Sequence, residues 1–170
     1  MTTRKLWIPV LAALLVMALV GPGMVGAVEP RATHTITIPA GAFIPHVDGI
    51  DYTNQGYGLW TMTDSGTFTA PVPLPEGVVT VTKMTLFVED NGGDDVSATL
   101  YRTTPGTGGE DNMGMVQSSG ASSDPRYFST TTFGPAQINN MWYGPYLWVY
   151  LPGSSTDGYR FYGVRITYTS

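Results

Sequence analysis

The chain has 170 residues, 13 acidic and eight basic side chains, a formal charge of −5 and no cysteine. That composition excludes thiol catalysis, thiolate metal sites and disulfide staples, so about 140 residues of folded chain must be held by an apolar core alone. Arg31, Lys83, Arg102, Arg126, Arg160 and Arg165 are scattered singly among carboxylates, which is not the basic stripe of a nucleic-acid binder, and DNA and RNA are set aside as partners.

At the start, Arg4-Lys5 precedes an uncharged run from Leu6 to Val20, then Gly21-Pro22-Gly23 and the small residues Val25-Gly26-Ala27. This is the layout of a secretory signal peptide cut after Ala27, leaving 28–170 as one domain. The apolar run of about 15 residues is short of the roughly 20 that span a bilayer, so no membrane attachment is expected after processing. Removing residues 1–27 takes two basic residues and no acidic one, moving the charge to about −7. The expected location is outside the cell, secreted or cell-surface associated.

Beyond residue 28 no stretch holds helical apolar spacing for three turns, and short β-rich runs alternate with turn chemistry. Strands are expected at Thr33 to Ile38, Leu59 to Met62 and Thr67 to Ala70, with Pro39 to Gly58 read as loop. Lys83 to Val88 aligns Met84, Leu86 and Val88 on one face, and Val96 to Tyr101 does so with Val96, Ala98 and Leu100. With Glu89-Asp90-Asn91-Gly92-Gly93-Asp94-Asp95 between them, the two read as a hairpin with an acidic tip. Thr103 to Asn112 reads as a Gly-rich loop, followed by strands at Met113 to Gln117 and Tyr127 to Thr132. In Tyr146 to Leu151 three aliphatics share one face and three aromatics the other, and Tyr159 to Tyr168 closes the chain as a strand. About eight short antiparallel strands, with a turn every 8–12 residues or so, predict an all-β sandwich of jelly-roll type.

The succession Ile38-Pro39-Ala40, Phe43-Ile44-Pro45, Leu74-Pro75-Glu76-Gly77, Leu100-Tyr101-Arg102 and Tyr162-Gly163-Val164-Arg165-Ile166 resembles a class of uncharacterised exported bacterial β-sandwich proteins, over most of residues 35 to 168. The layout is also similar to jelly-roll modules of phage and cell-surface assemblies. The resemblance implies fold and export and carries no activity.

For metal chemistry the sharpest feature is the acidic turn, where Asp90, Asp94 and Asp95 crowd oxygen ligands as calcium requires, though outside the EF-hand pattern; a solvated hairpin tip is the plainer and preferred reading. No other cofactor is called for. His34 and His46, the only imidazoles, have no metal-ligand spacing. His34 shares a strand face with Ile36 and Ile38 and is expected half-buried and hydrogen-bonded; His46 is expected solvated in a loop. Ser118 to Ser123 reads as a flexible loop, no Gly-x-Ser-x-Gly elbow exists, and no catalytic residue is assigned.

The aromatic supply remains: Trp60, Trp142, Tyr143, Tyr146, Trp148 and Tyr150. Period-2 alternation puts Tyr146, Trp148 and Tyr150 opposite Leu147, Val149 and Leu151, and a two-layer sandwich buries only one of these faces. With the aliphatic face inside, three rings would form a patch of several hundred Å², larger than a monomer usually leaves in water. The expectation is therefore a non-catalytic structural or adhesive module, a homo-oligomer with Tyr146, Trp148 and Tyr150 at its interface. The alternative is a carbohydrate-binding module offering the same residues to a polysaccharide.

Overall fold

The computed structural model describes residues 31–153 and 158–170. The segment 1–27 expected as a signal peptide, with its expected cleavage point, lies outside the described residues. In chain order the strands are β1 (Thr33–Pro39), β2 (Ile44–Pro45), β3 (Tyr52–Asn54), β4 (Leu59–Thr61), β5 (Gly66–Pro71), β6 (Val78–Asp90), β7 (Ser97–Thr104), β8 (Gly109–Gln117), β9 (Ser122–Thr130), β10 (Gln137–Asn139), β11 (Gly144–Leu151) and β12 (Tyr159–Thr169); a single 3-10 turn, Ala40–Ala42, follows β1. The expected all-β sandwich is what forms. It has two antiparallel sheets, with more strands than expected because the segment 39–58 contributes β2 and β3 and the segment 131–143 contributes β10.

The larger sheet is organised on β6 and β12, which pair along most of their length; β9 and β10 pair the far edge of β6, and β1 and β4 the far edge of β12, with β3 beyond β4. The smaller sheet runs β2-β5-β11-β7-β8. Each central strand carries the alternation that a sheet packed on one side demands. Met84, Leu86 and Val88 of β6, Phe161, Val164 and Ile166 of β12, Phe68 of β5, Ala98 and Leu100 of β7, and Leu147, Val149 and Leu151 of β11 are fully buried in one core. Phe43 closes one side of it, edge-on to Phe161 with ring centroids 4.8 Å apart.

Two expectations about connectivity are corrected. β6 and β7 do not form a hairpin: β6 pairs with β9, β10 and β12, and β7 with β8 and β11, so the acidic segment after Asp90 carries the chain from one sheet to the other. Alternation fixes which side chains face the core, but two strands on opposite walls of a sandwich show the same alternation as two neighbours in one sheet. The hairpin lies next along the chain. β7 and β8 pair from Ser97↔Gln117 to Thr104↔Gly109, and the Gly-rich segment read as a loop is its turn, where Gly106 and Gly108 take positive φ of 97° and 69°.

The segment Ser118 to Ser123 is not a free loop either. Ser118 is buried; its hydroxyl donates to Asp90 Oδ2 at 2.5 Å and accepts the Val96 N–H at 2.8 Å, while Ser122 and Ser123 open β9. His34, expected half-buried, is exposed at the end of edge strand β1, where its ring stacks on Tyr168 at 5.4 Å beyond the last core layer.

Candidate ligand-binding face

In β11 the aliphatic residues Leu147, Val149 and Leu151 are the ones that enter the core, so Tyr146, Trp148 and Tyr150 stand on the outer face of the five-stranded sheet. The register then determines their neighbours. Tyr146 lies opposite Tyr101 of β7, and Trp148 lies between Thr99 of β7 and Thr69 of β5. Tyr101 and Tyr146 sit with rings 17° from parallel and centroids 5.4 Å apart; Tyr101 also meets Trp148 at 6.2 Å. On its other side Trp148 is met by His46 at 4.2 Å. His46 is exposed in the bend after β2, as the sequence reading expects. What sequence reasoning missed is that His46 and Tyr101 belong to this face, because the ring contacts arise only when β5, with β2 on its far edge, and β7 flank β11.

These contacts change what the face offers. The three-ring patch expected to lie bare is largely covered by its own neighbours, leaving Trp148 and Tyr146 half-buried and Tyr150 39% exposed. What remains is a pinned aromatic row edged by the hydroxyls of Thr67 and Thr69 on β5, while on β7 Thr99 is buried and the Thr103 hydroxyl donates to the Gly144 carbonyl. A hollow of about 280 Å³ opens at one end, between Ile44, His46, Thr69, Pro71 and Tyr146. The Tyr146 hydroxyl donates to Glu110 Oε2 at 2.6 Å. Partial burial, then the bond and charge of Glu110, push this phenol far above the usual tyrosine range.

The acidic turn is organised differently from a cation cage. Asp90 is buried and turned inward, accepting from Ser118 at 2.5 Å and from the Gly92 N–H at 3.4 Å. Asp95 accepts from Gln117 Nε2 at 2.7 Å, and Asp94 gives its backbone N–H to the Tyr159 hydroxyl. Asp90, Asp94 and Asp95 are thus tied to three different partners, and among the described residues no three His, Cys, Asp or Glu side chains gather as metal ligands.

No protein-family model matches the sequence, and no curated protein does. Among solved structures, the chain is similar to the C-terminal CBM6 of the marine laminarinase LamC from Zobellia galactanivorans (15% identity, TM-score 0.49, covering 79% of this chain and 99% of that one). It is also similar to the xylan-binding module CBM15 (10% identity, TM-score 0.46, 82% of this chain and 98% of that one). A third is the carbohydrate-binding module CBM6cm-2 of Cellvibrio mixtus lichenase 5A, solved with cellotriose (15% identity, TM-score 0.42, 77% of this chain and 95% of that one).

The outer face of the seven-stranded sheet carries a second set of aromatic and charged side chains. Trp60 of β4 lies under the guanidinium of Arg160, 5.1 Å from its ring centroid, and Arg160 stands 3.8 Å from Glu89. The Tyr162 hydroxyl donates to the same Glu89 at 2.9 Å; burial and then Glu89 raise the Tyr162 pKa. No helix among the described residues is long and apolar enough to cross a membrane.

Proposed function

We propose that this is an exported, non-catalytic, glycan-binding β-sandwich whose polysaccharide partner stacks on Tyr146, Trp148 and Tyr150. The observation that carries the reading is the aromatic row on β11, outward-facing, braced by Tyr101 and His46 and bordered by threonine hydroxyls. Sugar rings present C–H faces that pack on aromatic rings and equatorial hydroxyls that exchange hydrogen bonds with hydroxyl side chains. A row already held in place loses little side-chain entropy when the ligand arrives. Self-association through this face is less favoured than the sequence suggests, because His46 and Tyr101 already shield much of the apolar area a partner copy would bury.

Five of the thirteen carboxylates are engaged within the fold. Asp90, Asp95, Glu110, Asp111 and Glu89 are each held by a hydroxyl, amide or arginine partner. None is paired with a histidine or a nucleophile as a general base would be.

The test is affinity electrophoresis and pull-down on insoluble cellulose, xylan and mixed-linkage β-glucan, comparing the wild type with Trp148→Ala. Retention of the wild type on at least one of them, lost in Trp148→Ala with the β-type circular dichroism unchanged, is the expected result. No retention on any, together with a dimer in sedimentation that Trp148→Ala dissociates, would replace this reading by the adhesive one; release of soluble sugar from the polysaccharide would make the protein a hydrolase.

A further inference from the structure

We propose that the hollow on the outer face of the seven-stranded sheet is a second saccharide site, built for a pyranose ring that carries one carboxylate, as a hexuronate does. The proposal rests on the reading that the domain binds glycans, and it names a different face and a different sugar chemistry. The hollow measures about 460 Å³ and is lined by Thr37, Phe87, Tyr127, Tyr162, Gly163 and Arg165, within the roughly 300–1,000 Å³ of small-ligand sites.

The register explains why a hollow exists there. Across β9, β6, β12 and β1, Tyr127, Phe87, Gly163 and Pro39 occupy one row, and Ser129, Thr85, Arg165 and Thr37 the next. The ladder between β6 and β12 slips by one residue at Phe161/Gly163, and the residue so inserted is Tyr162. That bulge stands the Tyr162 ring on the rim, while Gly163, with no side chain, leaves the floor between Tyr162 and Arg165 open. Tyr127, on the edge strand, is 73% exposed and free to cover a ring from the opposite side.

Charge selects the ligand. Arg165 donates from Nε to Thr37 Oγ1 at 3.3 Å and lays its guanidinium carbon 5.1 Å from the Phe87 ring centroid. Among the described residues its two Nη groups have neither a carboxylate nor a hydrogen-bond acceptor. A guanidinium fixed through Nε and stacked on a ring presents a two-pronged edge, and a carboxylate matches that edge with two parallel N–H···O bonds. The chain as a whole is acidic, but a net charge spread over the molecule is screened beyond about 8 Å at physiological salt, so the local set decides. Arg31, which reaches Thr80, and Lys83, Arg160 and Arg165 all come to this outer face. Against them the strands of this sheet bring Glu89, held by Tyr162 and Arg160, Asp90, buried on the inner side, and Asp124, exposed on β9. Arg126, which also lines the hollow, adds a second positive charge there: its guanidinium donates to the Gly120 carbonyl and lies over Phe128, and its Nε has no partner among the described residues.

The experiment titrates the purified protein with trigalacturonate and, in parallel, with its neutral methyl ester, by calorimetry and by amide chemical-shift mapping. Trigalacturonate should bind with shifts at Phe87, Tyr127 and Arg165, weaken with added salt, and lose about ten-fold or more in affinity in Arg165→Gln or when the carboxylates are esterified. Trp148→Ala should leave this binding unchanged. Tyr127→Ala, on an exposed edge position, supplies the same reading should Arg165→Gln not fold. Absence of binding at millimolar ligand, equal affinity for acid and ester, or loss through Trp148→Ala and not through Arg165→Gln, would overturn the site. A protein that is retained on neutral polysaccharide through Trp148 but ignores trigalacturonate would refute this inference alone; retention on none would refute the reading it rests on.

Discussion

Asp90 is a carboxylate at the end of a strand with almost no surface in water, and such a group is tolerated only when its lone pairs are occupied. Here the Ser118 hydroxyl and the Gly92 N–H occupy them, and Ser118 in turn takes the Val96 N–H, so one serine just past β8 couples the end of β6 to the start of β7. Removing the hydroxyl leaves both the carboxylate and the amide without a partner. Ser118→Ala should therefore cost about 1–3 kcal/mol, read as a lower urea midpoint at unchanged m-value. A loss below a few tenths of a kcal/mol would show that water reaches Asp90. From the sequence, Asp90 reads as one of several acids in a turn, because nothing in the local pattern points to a serine 28 positions away.

At the scale of the element, the bulge in β12 is where backbone geometry shapes the surface. Gly163 has φ of 150°, and a Cβ there would stand 2.6 Å from the Ile38 carbonyl oxygen of β1. That oxygen belongs to a paired edge strand and has little freedom to retreat. Gly163→Ala should destabilise the fold by about 1–3 kcal/mol and separate β1 from β12, seen as faster amide exchange along Thr33–Pro39 before any loss elsewhere. The strand itself is legible from Tyr162, Val164 and Ile166; the slip in its ladder is not. β11 was legible over Tyr146–Leu151 as a strand with one aliphatic and one aromatic face; its first two residues, and the choice of the aliphatic face for the core, came from the structure.

At the scale of the whole molecule, the two outer faces share one device, a tyrosine hydroxyl given to a glutamate: Tyr146 to Glu110 on the small sheet and Tyr162 to Glu89 on the large one. In both, the folded state holds the phenol protonated above its ordinary range. A pKa raised by folding adds stability that is whole below the unfolded value of about 10 and is lost as pH climbs through the folded value. These two pairs should contribute nothing to the pH dependence of the melting temperature between about pH 7 and 9, and a decline above about pH 10 that is smaller in Tyr146→Phe,Tyr162→Phe. Thermal melts with ultraviolet phenolate titration check this; an alkaline slope identical in the double variant would mean that other groups govern it.

The sequence by itself determined the class of fold, most strands of the core and the division of β11 into an aliphatic and an aromatic face, because alternation with period two and turn residues are local properties; which of those two faces is buried was decided by the tertiary structure. It also determined that an acidic chain has to hold its fold without disulfides. Only the tertiary structure decided which strands are neighbours, that the acidic turn crosses between sheets, and that His46 and Tyr101 brace Trp148. It alone set Arg165 over Phe87 without a carboxylate partner among the described residues. Those facts depend on contacts between residues tens of positions apart, and a one-dimensional pattern that is the same on both walls of a sandwich does not encode which wall a strand joins.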